Sequence, residues 1–247
     1  MTRRGTTEGA LVVPGVNPVL ELLRSGAPVR RLLVGPGPRA EEIWAAARAR
    51  GIAPERADRA ALAHLAGGLH HQGVVALAAP FAYAPFERLL APDCASALLL
   101  DGIQDPRNLG ALLRTARAAG VGGVVLPRDR SAAVTPTVVA ASAGLVFGLA
   151  IARVTNLVRA MEALKGEGYW LIGLAAGAGR DLFSIDVPRR PALVVGGEGG
   201  GLRSLVRRTC DVEAHIPMAA GVDSLNVAVA AGIAVYEVVV RRRERRS

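Results

Sequence analysis

From Ala97 onward the chain lays down one short, mostly apolar run after another, each separated from the next by a helical stretch. "ALLL" (97–100), "GVVLP" (123–127), "LAIARV" (149–154), "YWLIGLAA" (169–176), "ALVVGG" (192–197) and "VEAHIPM" (212–218) read as strands. Helical spacing predicts helices over 109–119, 136–143, 156–166, 202–208 and 224–240. Strands that are apolar along nearly their whole length are buried on both faces. Alternation with helices supplies the cover, so this half of the chain predicts a parallel sheet in an α/β fold.

The residues before it form a smaller block, 11–80. "NPVLELLRSG" has helical spacing and a glycine stop, "VRRLLVGP" reads as a strand and "RAEEIWAAARARG" as an amphipathic helix. "ADRAALAHLAG" adds a short helix and "GVVALAAP" a strand, giving the order α-β-α-α-β in a small three-layer module. "FAYAPFERLLAPDCAS", with Pro85 and Pro92, reads as a linker, so the expected domains are 11–80, a linker at 81–95, and 96–247.

Hydrophobic residues make up 51% of the 247, enough to build a substantial core. The net charge of +9 favours an acidic partner such as nucleic acid, although the excess is nearly all arginine in an Ala- and Gly-rich chain. Only Cys94 and Cys210 are present, far apart, which excludes a disulfide framework or zinc cluster and fits a reducing compartment. His64, His70, His71 and His215 match no metal-ligand spacing, and no metal is expected. "MTRRGTTEGA" lacks the apolar core of a signal peptide. Residues 131–152 carry no charge and are long enough to span a bilayer, but they contain Pro136 and are rich in Ser, Thr, Ala and Gly; a helix followed by a buried strand fits them better than a membrane span. The basic tail "RRRERRS" reads as a solvated end with a modest pull on RNA.

Three stretches carry chemistry. "DGIQDPRNLGALLRTARAAG" (101–120) ends a strand in a polar loop and opens a helix, with Asn108 placed to cap it and Arg114 and Arg117 on one face. Ligands of parallel sheets sit at such strand ends, and a helix start beside arginines suits a phosphate. "GGEGGGL" (196–202) lies between a strand and a helix. Its spacing is neither that of a dinucleotide fingerprint nor that of a Walker A loop, which leaves a plain turn or a loop whose backbone approaches a ligand, with Glu198 inside it. "IPMAAGVDSLNVAVAAGIAVYE" (216–237) places Ser224, a candidate cap, and Asn226 before a helix apolar on nearly every side, which predicts its burial.

In this order the three stretches resemble the motifs of the SpoU/TrmH family of RNA ribose 2′-O-methyltransferases. "VPGVNPVLELL" and "HHQGVVAL" in the first block resemble the N-terminal RNA-binding module of the subgroup that modifies 23S rRNA. The resemblance implies a SPOUT-type parallel sheet whose C-terminal segment forms a deep trefoil knot, and a ribosomal-protein-like N-terminal domain. It also implies S-adenosyl-L-methionine as cofactor, a homodimer and a cytoplasmic enzyme. Carried over position by position, it assigns catalysis to Asn108, Arg114, Glu198, Ser224 and Asn226, and the cofactor to Gly196, Gly197, Ile216, Met218 and Leu225. Arg114 would hold the target phosphate and stabilise charge on the attacking oxygen, since a guanidinium normally stays protonated; Glu198 would pair with it. The implied substrate is 23S rRNA, most like a guanosine of the peptidyl-transferase P-loop. Methylation of tRNA ribose or of a base, and a non-enzymatic RNA-binding role, are the alternatives. The low aromatic content, 4%, argues for phosphate and shape contacts rather than a stacking platform.

Overall fold

The computed structural model describes residues 9–241, which form two compact units. One takes the described residues up to Ala82 together with Val134–Gly148; the other takes Tyr83–Ala133 and everything described from Leu149 onward.

The first unit runs β1 (Leu11–Pro14), α1 (Val16–Ser25), β2 (Val29–Val34), α2 (Ala40–Ala49), β3 (Glu55–Arg56), α3 (Arg59–Ala66) and β4 (Val74–Ala78). Its four strands are ordered β1-β4-β2-β3, with β4 antiparallel to both neighbours and β3 parallel to β2. The sequence reading lacked β1 and β3: one is a four-residue run directly abutting a helix, the other a two-residue polar edge that follows no alternation. Asp58 caps α3 by accepting from Ala61 N, and Leu62 and Ala66 then pack on Leu33 and Val75 of the sheet. Helix α6 (Pro136–Ala141) lies against β1, and the 3-10 turn Leu145–Gly148 against α1. Gly144, at φ +81°, permits that crossing, because a Cβ there would stand 2.5 Å from the Pro18 Cα.

The second unit contains α4 (Glu87–Leu90), β5 (Ala97–Asp101), α5 (Pro106–Ala119), β6 (Gly123–Pro127), β7 (Ile151–Val154), α7 (Leu157–Gly166), β8 (Trp170–Leu174), β9 (Arg180–Asp181), β10 (Pro191–Gly196), α8 (Ser204–Thr209), β11 (Val212–His215) and α9 (Val227–Val235). All seven strands pair in parallel, in the order β7-β6-β5-β10-β8-β11-β9. The apolar strands therefore build the sheet the sequence predicted. Leu98, Leu99, Leu100, Val124, Val125, Leu193 and Val194 are almost fully buried; each such side chain contributes roughly 1.5–3 kcal/mol of transfer free energy. Only β9, two residues long, is an addition.

The stretch between the sequence blocks is packed rather than bare. Leu89 of α4 is fully buried, and the Tyr169 hydroxyl donates towards the carbonyls of Leu89 (2.8 Å) and Cys94 (2.6 Å). The C-terminal helix begins at Val227, three residues later than predicted, and continues as a π-helix over Tyr236–Arg241. It is buried on one side only, through Ala231, Ala234, Val235 and Val238; Val229 (52%) and Tyr236 (48%) face solvent, so the expected burial holds for half its surface. No helix among the described residues is long and apolar enough to cross a membrane. Of the basic tail only Arg241 falls within the described residues; the rest lies outside them.

Candidate active site

The chain leaves β5 for one side of the sheet, and β8 to β11 occupy the other, so the strand order reverses beside β5 and β10. Ligands of open α/β sheets collect at the carboxyl ends of strands at such a reversal. Here Asp101, last in β5, is the register partner of Gly196, last in β10. Their loops contain the first and second motifs.

Asp101 clamps the two loops. Its carboxylate is buried and accepts from the Arg203 backbone N (2.9 Å) and Nε (2.7 Å), with a further guanidinium nitrogen at 2.6 Å. Gly197 N donates to the Asp101 carbonyl at 2.9 Å. The glycines follow from this folding. A Cβ on Gly196 would stand 2.1 Å from the carbonyl carbon of Gly201, and one on Gly197 would stand 2.5 Å from the Gly102 oxygen. The loop thus doubles back on itself, a turn that leaves Glu198 exposed at its tip.

Glu198 accepts a short hydrogen bond from Asn108 Nδ2. Asn108 Oδ1 in turn accepts from Asn226 Nδ2 at 3.2 Å. One residue from each motif therefore stands in a single chain of hydrogen bonds. Two sequence expectations are corrected by how that chain forms. Asn108 does not cap α5: Asp105 does, accepting from Arg107 N at 2.7 Å, with Pro106 at the first helical position. Asn108 is one turn in, and both ends of its amide are free to reach other loops. Ser224 does not cap α9 either. The cap is Asn226, whose Oδ1 accepts from Ala228 N (2.9 Å) and Val229 N (3.3 Å) while its Nδ2 holds Asn108. An asparagine serves both purposes because it carries an acceptor and a donor on one short side chain.

Arg114 lies on α5, exposed, within the described structure unpaired with Glu198; the expected Glu198–Arg114 pair is replaced by Glu198–Asn108. Ser224 is exposed in the segment 216–226, alongside Met218 (36%), Val222 and Leu225 (38%). Beyond the expected residues, a cavity of about 170 Å³ beside Glu198 is lined by Gln104, Asp129, Arg130 and Arg203. The reading from sequence passed over Asp129 and Arg130. The signal available was a charged "RDR" run directly after the β6 strand end, a position where parallel sheets place ligands.

A cofactor with an apolar ring and polar edges suits the residues around the ends of β10 and β11. Leu225 and Met218 leave apolar surface uncovered, the backbone at Gly196 and Gly197 carries no side chain, and Nδ1 of His215, directly before Ile216, is buried without a partner. Met218 and Leu225 are thus of the right kind to meet the apolar part of such a molecule. Among the described residues no cluster of three His, Cys, Asp or Glu could bind a metal ion.

The glycine turn and the asparagine chain stand together at the switch point of a parallel α/β sheet, and comparison with known proteins gives the class of enzyme to which the chain belongs, the RNA ribose methyltransferases. Residues 95–236 match the SpoU rRNA Methylase family and residues 12–84 match the RNA 2′-O ribose methyltransferase substrate-binding domain; the chain belongs to the SpoU rRNA methylase family. It is 44% identical over 239 residues to the 23S rRNA (guanosine-2′-O-)-methyltransferase RlmB of Xanthomonas campestris, covering 93% of this chain and 96% of that protein. Among solved structures it is similar to an AdoMet-bound rRNA methyltransferase from Sinorhizobium meliloti (TM-score 0.81, 27% identity, 96% of this chain and 88% of that one). It is also similar to the SpoU methyltransferase AviRb from Streptomyces viridochromogenes in complex with AdoMet (TM-score 0.78, 29% identity, 96% and 91%).

Proposed function

We propose that this protein transfers a methyl group from S-adenosyl-L-methionine to the ribose 2′-hydroxyl of a guanosine in 23S rRNA, with the peptidyl-transferase P-loop as the target region. The observation that carries the reading is the Glu198–Asn108–Asn226 chain, which ties the three motifs together at the strand ends where a ligand of this sheet would bind. The guanosine and the 23S rRNA rest on the likeness to the Xanthomonas enzyme.

S-adenosyl-L-methionine, when bound, supplies an electrophilic methyl group on a sulfonium that leaves as a neutral thioether, so the protein's task is mainly alignment, with the hydroxyl proton passing to solvent water. Gly196, Gly197, Ile216, Met218 and Leu225 hold it, in a segment that closes the trefoil knot. Asn108 is held at both ends of its amide and orients the ribose. Glu198 fixes Asn108, and Asn226 fixes Asn108 while starting α9. Arg114, exposed and without an acidic partner among the described residues, takes the target phosphate and stabilises negative charge on the attacking oxygen. Ser224 positions the nucleotide from the neighbouring segment.

The N-terminal unit selects the RNA. A cavity of about 670 Å³ in it is lined by Arg39, Asp58, Arg59, His70, His71 and Gln72, a polar, hydrogen-bonding surface suited to an RNA loop. The stripe Val229, Ile233, Tyr236 and Val240 of the C-terminal helix, exposed at Val229 and Tyr236 and partly covered at the other two, supports a homodimer, since residues at this spacing share one face. A cytoplasmic location follows from the rRNA substrate.

The test is to incubate the purified protein with labelled S-adenosyl-L-methionine and separate pools of unmodified 23S rRNA, 16S rRNA and tRNA, mapping the modified ribose by its resistance to alkaline cleavage. Label at one alkali-resistant guanosine of 23S rRNA is expected. Label confined to tRNA would overturn the substrate. Arg114→Ala with normal RNA and cofactor binding and full turnover would overturn the scheme.

A further inference from the structure

We propose that the cavity beside Glu198 receives the base of the target nucleotide, and that Asp129 and Arg130 read it as guanine. The proposal rests on the guanosine-methylating reading above. The cavity, about 170 Å³, has the room of about six water molecules, which suits one flat heterocycle and not two. It adjoins Gly197 and Glu198, so a base seated in it leaves its ribose next to the hydrogen-bonded chain.

The loop that carries the two residues is held from both sides. Arg128 N donates to the Val154 carbonyl (2.9 Å), an Arg153 guanidinium nitrogen donates to the Arg128 carbonyl (2.6 Å), and Ala132 N donates to the Ile103 carbonyl (2.8 Å). Between these ties Arg130 adopts φ +56°, the left-handed region. A non-glycine residue costs roughly 1–2 kcal/mol there, and glycine would relieve it. An arginine at such a position, where glycine would carry no strain, points to a task for its side chain.

The charges that line the cavity are not all committed. Asp101 is neutralised by Arg203, and Glu198 is bonded to Asn108. Asp129 and Arg130 are both exposed and enter no ion pair among the described residues, and Gln104 adds an amide to the same lining. A carboxylate, a guanidinium and an amide around one base-sized space match guanine in particular. Its N1–H and 2-amino group are adjacent donors for a carboxylate, and O6 and N7 are adjacent acceptors for the guanidinium fork. Adenine would turn an N1 lone pair towards Asp129, an unpaired acceptor facing an acceptor. Reading of this kind needs a base splayed out from its stack, which is how single-stranded RNA is recognised.

The test uses the full-length protein and RNAs carrying the mapped target with guanosine or inosine at that one position; inosine lacks only the 2-amino group. Wild type is expected to favour guanosine by roughly tenfold or more in kcat/KM, the loss of one hydrogen bond to a charged group. D129N is expected to lower the guanosine rate and collapse the guanosine-to-inosine ratio towards one, with D129S giving the same ratio. R130G is expected to melt at the wild-type temperature or higher while kcat/KM on guanosine falls roughly tenfold or more. Cofactor affinity should be unchanged in all three. A wild-type guanosine-to-inosine ratio retained by D129N, full kcat/KM in R130G, or a loss of cofactor affinity in either variant would overturn the proposal. A wild type that methylates guanosine and inosine equally would also overturn it and leave the methylation reading standing. A wild type that methylates no ribose would sink both.

Discussion

The amide of Asn226 is shared between two jobs: its oxygen caps α9 at Ala228 N and Val229 N, and its nitrogen donates to Asn108 Oδ1 at 3.2 Å. The start of the last helix is thereby locked to the first motif, 118 residues earlier in the chain.

The two jobs separate by substitution. Asn226→Asp keeps the capping oxygen and loses the donor to Asn108. Stability should stay within about 0.5 kcal/mol of wild type, because aspartate caps as well as asparagine. Turnover should fall about tenfold or more, the equivalent of one positioning hydrogen bond in the transition state. Asn226→Ala should lose both, with about 1 kcal/mol of stability going with the cap. Thermal melts and single-turnover methyl transfer on the same preparations would decide. An aspartate variant with full turnover would mean that the link to Asn108 is only structural.

Within the glycine loop the positions are not equivalent. A Cβ at Gly196 would collide with the Gly201 backbone at 2.1 Å, while one at Gly200 meets nothing within 4 Å and needs no positive φ. Gly196→Ala must push the loop open, moving Glu198 away from Asn108 and displacing the backbone proposed to hold the cofactor. It should lower the melting temperature and abolish cofactor binding in calorimetry, whereas Gly200→Ala should melt like wild type. Equal behaviour of the two would refute the packing argument.

These residues also mark what could be read from sequence. Six of the seven strands of the sheet were legible because they are apolar on both faces and the intervening helices carry their own start and stop signals, as at Asn156 and Gly120. The three motifs were legible as residue patterns. The identity of the caps was not, because Asp105 and Asn108, or Ser224 and Asn226, are equally competent by type. Which of them caps depends on what the other side chain meets across the sheet, and that partner is about a hundred residues away. Asp129 and Arg130 were missed for the same reason. A charged run after a strand looks like a solvated loop until the neighbouring strand ends enclose it.

The Asp101–Arg203 clamp should respond unequally to its two halves. The Asp101 side chain is fully buried, and that of Arg203 is 52% exposed. Removing the arginine side chain leaves a carboxylate in the interior with only the Arg203 backbone N–H, while removing the carboxylate leaves a cation that can turn to water. Arg203→Ala is therefore expected to cost about 3 kcal/mol or more and Asp101→Asn about 2 kcal/mol. Urea denaturation gives both values. The reverse order would show that hydration reaches Asp101.

Burial, with the nearby carboxylates of Glu213 and Asp211 adding to it, pushes the Cys210 thiol up to about 12. The folded protein thus holds this proton more tightly than the unfolded chain, whose thiol has its ordinary value near 9.0. The stabilising contribution is full below about pH 9 and declines as pH rises from there towards 12. Native protein at pH 8.5 should react slowly with iodoacetamide at Cys210, and denatured protein quickly. Cys210→Ser should flatten part of the loss of stability above pH 9. Rapid alkylation of the native thiol would show that the site opens to solvent.

The exposed stripe of the C-terminal helix gives a prediction about assembly. Val229 is 52% exposed and Tyr236 48%, seven residues apart on one face, and Ile233 and Val240 between and beyond them are partly covered. The opposite face, Ala231, Ala234 and Val238, is buried in the sheet domain, so the stripe is free to meet another chain. Val229→Glu places a charge at the N-terminal end of that surface, on a half-exposed side chain. If two copies associate through it, sedimentation velocity should show wild type as a dimer and V229E shifted to monomer, with an unchanged melting transition at low concentration. Because Val229 N is held by the Asn226 cap, loss of the dimer should also loosen the start of α9 and reduce methyl transfer. A V229E protein that sediments as a dimer, or a wild type that is monomeric, would rule this face out as the contact.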